Sequence, residues 1–330
     1  MLKNLINVGD FLELYIFLKR RERSLYNLLS RLFTFSKNRT KSAWSHFKSP
    51  PTHWWDIPQI IENWNFLISG NPQTDYYDYF ITTFLYEKTN LFALSLGCGT
   101  GHRELKWAAS GKFIQIDAID LSPKRIEFAK KEALEEGFSH IINYQTMDFD
   151  KITEENKYDL IFCEQSLHHF SPMEKVVNKI NRILKPDGLL LVNEYVGPNR
   201  FQWVTEQLYY TNMLLKEIPD KYKYYYNSRL KKRKQYKPGI FRMILSDPSE
   251  AIESENILPE LNKKFRLVQQ KEYGGTILHL LFNGIAQNFI NEAEETLNIL
   301  KKCFQFENEL LHSKKIKSDF IFAVYKKEFE

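Results

Sequence analysis

The sequence predicts an α/β fold built on a mostly parallel sheet. Between positions 91 and 194, short apolar runs of strand length alternate with amphipathic stretches, and such alternation is typical of βαβ units. A glycine-rich stretch follows the first run, as expected where a strand turns sharply into a helix. The predicted strands are 91–96, 113–119, 141–145, 160–163, 189–192, 265–272 and 320–325.

Composition indicates a globular protein. Of the 330 residues, 43% are hydrophobic and 15% aromatic, which excludes a disordered chain, and 13 glycines with 12 prolines are too few for a fibrous one. The three cysteines are odd in number and far apart, so neither a disulfide framework nor a metal site is expected. Asp10 and Glu13 interrupt the first apolar stretch, whereas the apolar region of a signal peptide is uninterrupted by charge. A cytoplasmic location is therefore expected.

The net charge of +5 hides an uneven distribution. Residues 19–41 carry a net +7 and residues 220–242 a net +8, so the rest of the chain carries −10. Basic segments of this kind either attract an acidic partner or form ordinary solvated surface. Their position relative to an active site distinguishes the two interpretations.

Three regions of the chain differ in their pattern of apolar and polar residues. An N-terminal helical or cap region is expected at 1–88 and an α/β domain at 89–330, with an insertion at about 217–260 after the fifth strand. Other local expectations are an apolar helical face at Leu25, Leu28, Leu29 and Leu32, a break at Pro50-Pro51, helices after Pro58, at 201–217 and at 293–304, and a turn at Lys185-Pro186-Asp187-Gly188.

The strongest chemical signal is the stretch Leu96-Gly97-Cys98-Gly99-Thr100-Gly101, directly after a predicted strand. Glycines there permit a tight turn and let a ligand approach backbone N–H groups at a helix N-terminus. A dinucleotide fingerprint would need a third glycine at position 102, where His102 stands, so a nicotinamide or flavin cofactor is disfavoured. A purely structural turn is the alternative.

A carboxylate follows at the end of the next strand. Asp120 lies nineteen residues after Gly101, near the offset at which an acidic residue meets ribose hydroxyls. Asp117 lies earlier in the strand and suits this role less well. Ser122-Pro123 supplies a helix cap and a first-turn proline, which places Asp120 at the carboxyl edge of the sheet.

At this point the sequence resembles the class I S-adenosylmethionine-dependent methyltransferases. The resemblance implies a Rossmann-like seven-stranded sheet with helices on both faces, and S-adenosyl-L-methionine as the cofactor. It rests on five motifs in the family's order, which are Leu96-Gly97-Cys98-Gly99-Thr100-Gly101, Asp120-Leu121-Ser122-Pro123, Met147-Asp148-Phe149, the segment 158–170, and Leu184-Lys185-Pro186-Asp187-Gly188-Leu189.

The resemblance also assigns the cofactor contacts. The glycine loop is implied to hold the methionine end, Asp120 the ribose, and Asp148 the adenine amino group. Ser95 departs from the family, which usually has a carboxylate two residues before the first glycine, and this weakens one polar contact near the methionine end. The implied cofactor-binding residues are Leu96, Gly97, Cys98, Gly99, Gly101, Asp120, Leu121, Asp148, Phe149 and Glu164. For Glu164, the alternative is a loop carboxylate that does not contact the cofactor.

A looser resemblance covers much of the remaining chain. It is to a bacterial methyltransferase group associated with surface-glycan and glycosyltransferase genes, and it implies a sugar or glycan-precursor acceptor. The motifs are His53-Trp54-Trp55-Asp56-Ile57-Pro58, Ser69-Gly70-Asn71-Pro72, the segment 193–203, Asp247-Pro248-Ser249-Glu250-Ala251 and Tyr273-Gly274-Gly275-Thr276.

Methyl transfer from a sulfonium is an in-line displacement, and much of its catalysis comes from holding the reacting atoms in line in a dry pocket. A hydroxyl acceptor must also lose its proton, so a nearby base helps. The candidate bases are His168 and His169 after strand four and Glu194 at the end of strand five, and histidine has the better-matched pKa. Alternatively, the histidines cap a helix or cover the cofactor, and Glu194 makes a structural hydrogen bond.

We expect O-methylation of a polar small molecule, with a sugar or glycan precursor as the leading acceptor. Tyr195 and Arg200 are candidates for orienting that acceptor and His279 for lining its pocket, although Arg200 is equally a surface charge. Trp54 and Trp64 either stack on a ligand or pack in the core. The basic segment 220–242 is expected near the acceptor entrance, where it suits a phosphorylated acceptor.

Three alternatives remain open at this stage. Interleaved tyrosine and basic residues at 222–237 suggest a nucleic-acid methyltransferase, but an Asn/Asp-Pro-Pro-aromatic tetrapeptide is absent after strand four. Because Ser95 replaces the usual carboxylate, a second alternative is a scaffold that binds the donor but does not catalyse methyl transfer. The apolar run 11–18 followed by basic residues suggests peripheral membrane contact. The oligomeric state is not predicted.

Overall fold

The structure, a computed structural model, describes residues 5–20 and 51–327 of the chain. A single seven-stranded sheet forms its centre. The strands are β1 (Leu91–Leu96), β2 (Phe113–Asp120), β3 (Ile142–Thr146), β4 (Tyr158–Glu164), β5 (Leu184–Tyr195), β6 (Phe265–Gly274) and β7 (Phe320–Lys327).

The strands lie in the order β3-β2-β1-β4-β5-β7-β6. Strands β1 to β5 pair in parallel, and β7 pairs antiparallel with both β5 and β6. The chain order reverses at β1, which has β2 on one side and β4 on the other. Open α/β sheets bind ligands beyond the carboxyl ends of the strands at such a point. The predicted α/β class and seven-stranded sheet are confirmed.

Helices pack on both faces of the sheet. One apolar core includes Trp107 and Ile126, and a second, on the opposite face, includes Ile180 and Leu261. The helices are α1 (Val8–Arg20), α2 (Pro58–Ser69), α3 (Tyr76–Phe84), α4 (His102–Ala109), α5 (Pro123–Glu135), α6 (Met173–Ile183), α7 (Thr205–Glu217), α8 (Ile240–Ser246), α9 (Ile257–Lys264), α10 (Leu278–Phe282) and α11 (Glu294–His312).

Two local expectations need correction. The turn predicted at Lys185-Pro186-Asp187-Gly188 lies inside β5, as an irregular stretch in which Asp187 has a φ of 63° and the register with β4 shifts. The helix predicted from 201 begins at Thr205 instead. Arg200 and Phe201 have φ angles of 56° and 52°, a left-handed conformation that a helix cannot continue through.

The N-terminal region shares the main core from residue 54 onward. Trp54, Ile57 and Ile60 are fully buried in the same cluster as the sheet side chains, and α2 begins at Pro58, where a helix is predicted to follow that proline. The leucine face at 25–32 and most of the basic segment 19–41 lie outside the described residues. The domain boundary at 88/89 therefore stays a prediction.

Helix α1 is tied to the insertion after β5. Asp10 accepts hydrogen bonds from the backbone N–H of Gly239 and from Nε of Arg242, both at 2.8 Å. Phe11 and Tyr15 of this helix are exposed. Among the helices of the described segments, none has the length and apolar character required to cross a membrane.

Candidate active site

A cavity of about 300 Å³ lies at the carboxyl ends of β1, β2 and β4. Its walls come from the loops that follow these strands and, opposite them, from the insertion after β5. Six of the residues predicted from the sequence line it, which are Gly97, Asp120, Leu121, Asp148, Phe149 and His169.

The glycine loop has the backbone geometry that its sequence predicts. Gly97, Gly99 and Gly101 all have positive φ, at 70°, 59° and 83°, where a side chain is strained. A Cβ on Gly97 would lie 2.8 Å from Cβ of Ser166, and one on Gly101 would lie 2.5 Å from the hydroxyl of Tyr144. These glycines therefore allow the loop to pass close to its neighbours; Gly97 lines the cavity, whereas Gly99 and Gly101 do not.

Asp120 ends β2 at the cavity wall. Its Oδ2 accepts from the N–H of Gly99 at 3.0 Å, and its Oδ1 accepts from the N–H of Ser122 at 2.7 Å. Burial raises the pKa of Asp120, although these N–H groups and the charge of Arg125 oppose that rise. The carboxylate is thus fixed in orientation, and each oxygen retains capacity to accept a further bond from a ligand hydroxyl.

Asp148 and Phe149 form the next part of the wall. Asp148 caps the short helix Phe149–Lys151, and its Oδ1 accepts from the N–H of Asp150 at 3.2 Å. The Phe149 ring packs edge-on against Phe170, with 5.9 Å between centroids. An apolar surface beside a fixed carboxylate suits a flat heterocycle that carries an amino group.

Leu96, Cys98 and Glu164 do not line the cavity. Leu96 and Cys98 are buried in the two cores. Glu164 ends β4, but its carboxylate accepts from the hydroxyl of Tyr76 at 2.5 Å and from the indole N–H of Trp107 at 3.0 Å. These partners point it toward α3 and α4, so it holds helices to the sheet.

Glu194 is fully buried at the end of β5 and also lies off the cavity wall. Its Oε2 accepts from the N–H groups of Ser166 and Leu167, at 2.7 and 2.6 Å. Its Oε1 accepts from the N–H of Tyr195 at 2.7 Å and lies 2.5 Å from Nδ1 of His168. Four donors on one carboxylate make Glu194 the anchor of the loop after β4.

His168 is held between two carboxylates. Its Nδ1 bonds to Glu194, and its Nε2 lies 3.6 Å from Oε1 of Glu250. Burial lowers the pKa of His168, but the charges of Glu194 and Glu250 outweigh burial and raise it to about 9. One ligand atom each from His168, His169 and Glu250 lies within 4.8 Å of the others, close enough to hold a metal ion. A metal ion bound there would have to displace the proton of His168, because a protonated imidazole cannot ligate.

His169 is the histidine on the cavity wall. Ser249 donates its one hydroxyl hydrogen to Oδ1 of Asp247 at 2.6 Å, so its oxygen accepts from Nδ1 of His169 at 3.1 Å. Burial, and next the charge of His168, lower the pKa of His169 well below its ordinary value. The ring is therefore neutral at pH 7, with its lone pair on Nε2.

Comparison with known proteins agrees with this geometry. Residues 87–279, more than half of the chain, match the family model described as a methyltransferase domain. The chain belongs to the methyltransferase domain family. Its methyltransferase domain uses S-adenosylmethionine, and the cavity suits that cofactor through its exposed glycine backbone, the Asp120 carboxylate and the apolar wall at Phe149.

The individual relatives are partial matches. The malonyl-[acyl-carrier protein] O-methyltransferase of Priestia megaterium is 33% identical over 109 residues, which cover 33% of this chain and 38% of that protein. The uncharacterized methyltransferase YcgJ of Bacillus subtilis is 30% identical over 105 residues, covering 32% and 41%. The chain thus spans less than half the length of these curated relatives.

Solved structures resemble the chain at low identity. The phosphoethanolamine N-methyltransferase 2 of Haemonchus contortus, in complex with S-adenosyl-L-methionine, is 17% identical, with a TM-score of 0.48. The match covers 88% of this chain and 60% of that one.

The methyltransferase cavity has a wall that the motif analysis did not assign, the segment 247–252. Pro248, Ser249 and Ile252 line the cavity. The N–H of Ile252 donates to the carbonyl of His168 at 3.0 Å, and Arg200 donates to the carbonyl of Glu250 at 3.1 Å. The signal was the Asp247-Pro248-Ser249-Glu250-Ala251 motif, noted for its resemblance but given no role.

Sequence reasoning also missed Gln165, which follows β4 directly. It has a φ of 54°, lines the cavity, and donates through Nε2 to the carbonyl of Asn193 and the hydroxyl of Tyr273, both at 3.3 Å. Its position after β4, within the quoted motif, was the available signal. Other lining residues without a predicted role are Arg125, Met147, Ser166 and Phe170.

The three predicted acceptor residues lie off the cavity wall. Tyr195 is buried and donates to the carbonyl of Pro198 at 3.1 Å. Arg200 holds the segment 247–252, as described above. His279 is buried among aromatic rings, 5.6 Å from Phe320 and 5.7 Å from Trp54 between centroids, and burial lowers its pKa to about 3.

The basic segment 220–242 does not line the cavity either. Lys231 pairs with Asp220 at 2.8 Å, and Arg233 approaches the same carboxylate at 3.5 Å. Lys232 is 1% exposed, and its Nζ donates to the carbonyls of Leu280 at 2.6 Å and Asn283 at 2.9 Å. Its charges are thus partly paired and partly buried, and the expectation that this segment flanks the acceptor entrance stays a prediction.

Proposed function

We propose that the protein transfers the methyl group of S-adenosylmethionine to a hydroxyl oxygen of a polar acceptor, with a sugar or glycan precursor as the acceptor class. The observation that carries the proposal is His169. His169 lies on the cavity wall in the loop after β4, and its imidazole is neutral. A neutral imidazole has the protonation state that a general base requires.

The surrounding residues prepare His169 for this role. The chain Asp247–Ser249 holds Nδ1 as the protonated nitrogen, which leaves the lone pair on Nε2. His168, tied to Glu194, carries the positive charge beside it and keeps His169 neutral. Glu194 acts through the loop and not on the acceptor, since its oxygens are taken by four donors.

The donor supplies an electrophilic methyl group on a positively charged sulfur. The glycine loop and Asp120 would hold the donor in the cavity, where the loop after β4 also forms part of the wall. As the acceptor oxygen bonds to that carbon, the carbon–sulfur bond breaks and its electron pair stays on sulfur. His169 accepts the hydroxyl proton. The proton leaves later to solvent, and no other reactant is needed.

The support for a polar acceptor comes from Gln165, a polar side chain on the cavity wall. Gln165 connects the cavity to Tyr273, whose ring lies 5.4 Å from that of Trp64. The indole N–H groups of Trp54 and Trp64 and Nδ1 of His279 are buried without a hydrogen-bond partner among the described residues. Trp54 and His279 do not line the cavity, so the group on the wall that supports a polar acceptor is the Gln165 amide.

The test is methyl transfer from a carbon-labelled donor to a panel of sugars, nucleotide-sugars and phosphorylated sugars, with the product analysed by carbon NMR. A label on oxygen is expected. At saturating donor, His169→Ala should lower kcat by about 10²–10⁴-fold and leave donor affinity within a few-fold. The exposed His312→Ala variant is the matched control. A label on nitrogen or carbon, or full turnover by His169→Ala, contradicts the proposal.

A further inference from the structure

The position before the glycine loop that usually carries a carboxylate is Ser95, and the structure brings another carboxylate to it. The hydroxyl of Ser95 donates to Oε1 of Glu104 at 2.5 Å. Glu104 lies in the first turn of α4, the helix that opens at Gly101. Both side chains are buried, at 3% and 1% exposure. A carboxylate therefore stands at the end of β1 even though residue 95 is a serine.

The other oxygen of this carboxylate is unusual. Oε2 of Glu104 is buried and has no hydrogen-bond partner among the described residues. Leaving a buried polar atom unpaired is unfavourable by about 1–3 kcal/mol, more for a charged group. Such atoms are rare in folded proteins and each calls for an explanation.

The charges around Glu104 do not neutralise it. Arg103 lies nearby, but its guanidinium donates to the backbone carbonyl of Glu164, and the Glu164 carboxylate adds a second negative charge. Cys98 of the glycine loop, Tyr77 of α3 and Tyr144 of β3 also face Glu104. Two carboxylates thus share one cation behind the loop that the donor contacts. Burial raises the pKa of Glu104 to about 7.

We propose that Glu104 is a positioning residue for the methionine end of the donor, acting by charge across the glycine loop. S-adenosylmethionine carries an ammonium, a sulfonium and a carboxylate and so has a net positive charge, whereas adenosine, which has the same base and ribose, carries none of these groups. A negative charge behind the loop 97–101 therefore strengthens the binding of S-adenosylmethionine and leaves the binding of adenosine unchanged. The inference rests on the donor of the proposed function and not on its acceptor.

Binding of a cation must then favour the ionised form of Glu104. Donor affinity should rise with pH through about 7, and binding at pH 7 should release a proton. A one-unit fall in the pKa of Glu104 on binding corresponds to a gain of about tenfold in affinity between the protonated and ionised forms.

The experiment is calorimetry of S-adenosylmethionine and of adenosine with the full chain at about pH 6 and about pH 8. At pH 7, two buffers of different ionisation enthalpy report proton release. Wild type should bind S-adenosylmethionine about fivefold more tightly at the higher pH. Glu104→Gln, which keeps the bond from Ser95, should lose both the pH dependence and the proton release. Adenosine affinity should be the same for both proteins.

A relocated charge provides the second test. In the double variant Ser95→Asp, Glu104→Gln, the carboxylate stands on β1, and donor affinity at about pH 8 should recover at least in part. Equal weakening of adenosine and S-adenosylmethionine in Glu104→Gln would show a structural role and overturn the proposal, as would pH-independent donor binding by wild type. Complete lack of donor binding by wild type would instead overturn the donor assignment itself.

Discussion

The ion pair between His168 and Glu194 makes a quantitative prediction about stability. Burial lowers the pKa of His168, but the charges of Glu194 and Glu250 outweigh burial and raise it to about 9 in the folded protein, against 6.5 for an ordinary histidine. A group whose pKa is raised by folding stabilises the folded state fully below its unfolded pKa. That stabilisation is lost as the pH rises through the folded pKa. The affected window is therefore pH 6.5 to about 9.

The magnitude follows from the size of the shift. A difference of about 2.5 pKa units corresponds to about 3 kcal/mol in the free energy of unfolding. The perturbation is His168→Gln, which removes the titrating ring. Between about pH 6 and about pH 9.5, the stability of wild type should fall by about 3 kcal/mol more than that of the variant.

Urea unfolding followed by tryptophan fluorescence measures this difference at each pH. The exposed variant His312→Gln is the matched control, because it removes a histidine that lies outside the buried network. It should follow the wild-type curve. If His168→Gln and wild type lose stability in parallel over the whole range, the charges of Glu194 and Glu250 do not hold the proton on His168. The positive charge that is argued to keep His169 neutral would then be absent.

Three further outcomes are expected. Asp120→Asn should weaken S-adenosylmethionine binding by about 10–100-fold in calorimetry, since charged hydrogen bonds contribute about 1.5–3 kcal/mol; unchanged affinity would remove Asp120 from the site. Gly101→Ala should destabilise the protein by about 2–4 kcal/mol in urea unfolding, because its φ is 83° and the new Cβ meets Tyr144 at 2.5 Å; a neutral result would contradict that geometry. Lys232→Ala should destabilise by about 2–4 kcal/mol while exposed Arg233→Ala stays within about 0.5 kcal/mol; equal effects would place Lys232 at the surface.

Local patterns predicted the elements that local physics controls. The first strand has the predicted bounds, Leu91–Leu96, and the helix after Pro58 and the long helix that begins at Glu294 are present. Apolar periodicity and turn residues act over a few neighbours, so they can be read without tertiary contacts. The errors lie where long-range packing overrides them, as at Arg200, whose left-handed φ accompanies its bonds to the segment 247–252.

The sequence by itself determined the glycine loop, the carboxylate that ends β2 and the positions of the strands along the chain, because each depends on residues close together in the chain. Only the tertiary structure decided which polar groups meet. Glu194 lies 26 residues from His168, Ser249 lies 80 residues from His169, and Lys232 lies 48 residues from the carbonyl of Leu280. Burial and partners over such separations set the charge of each group, and no local pattern encodes them.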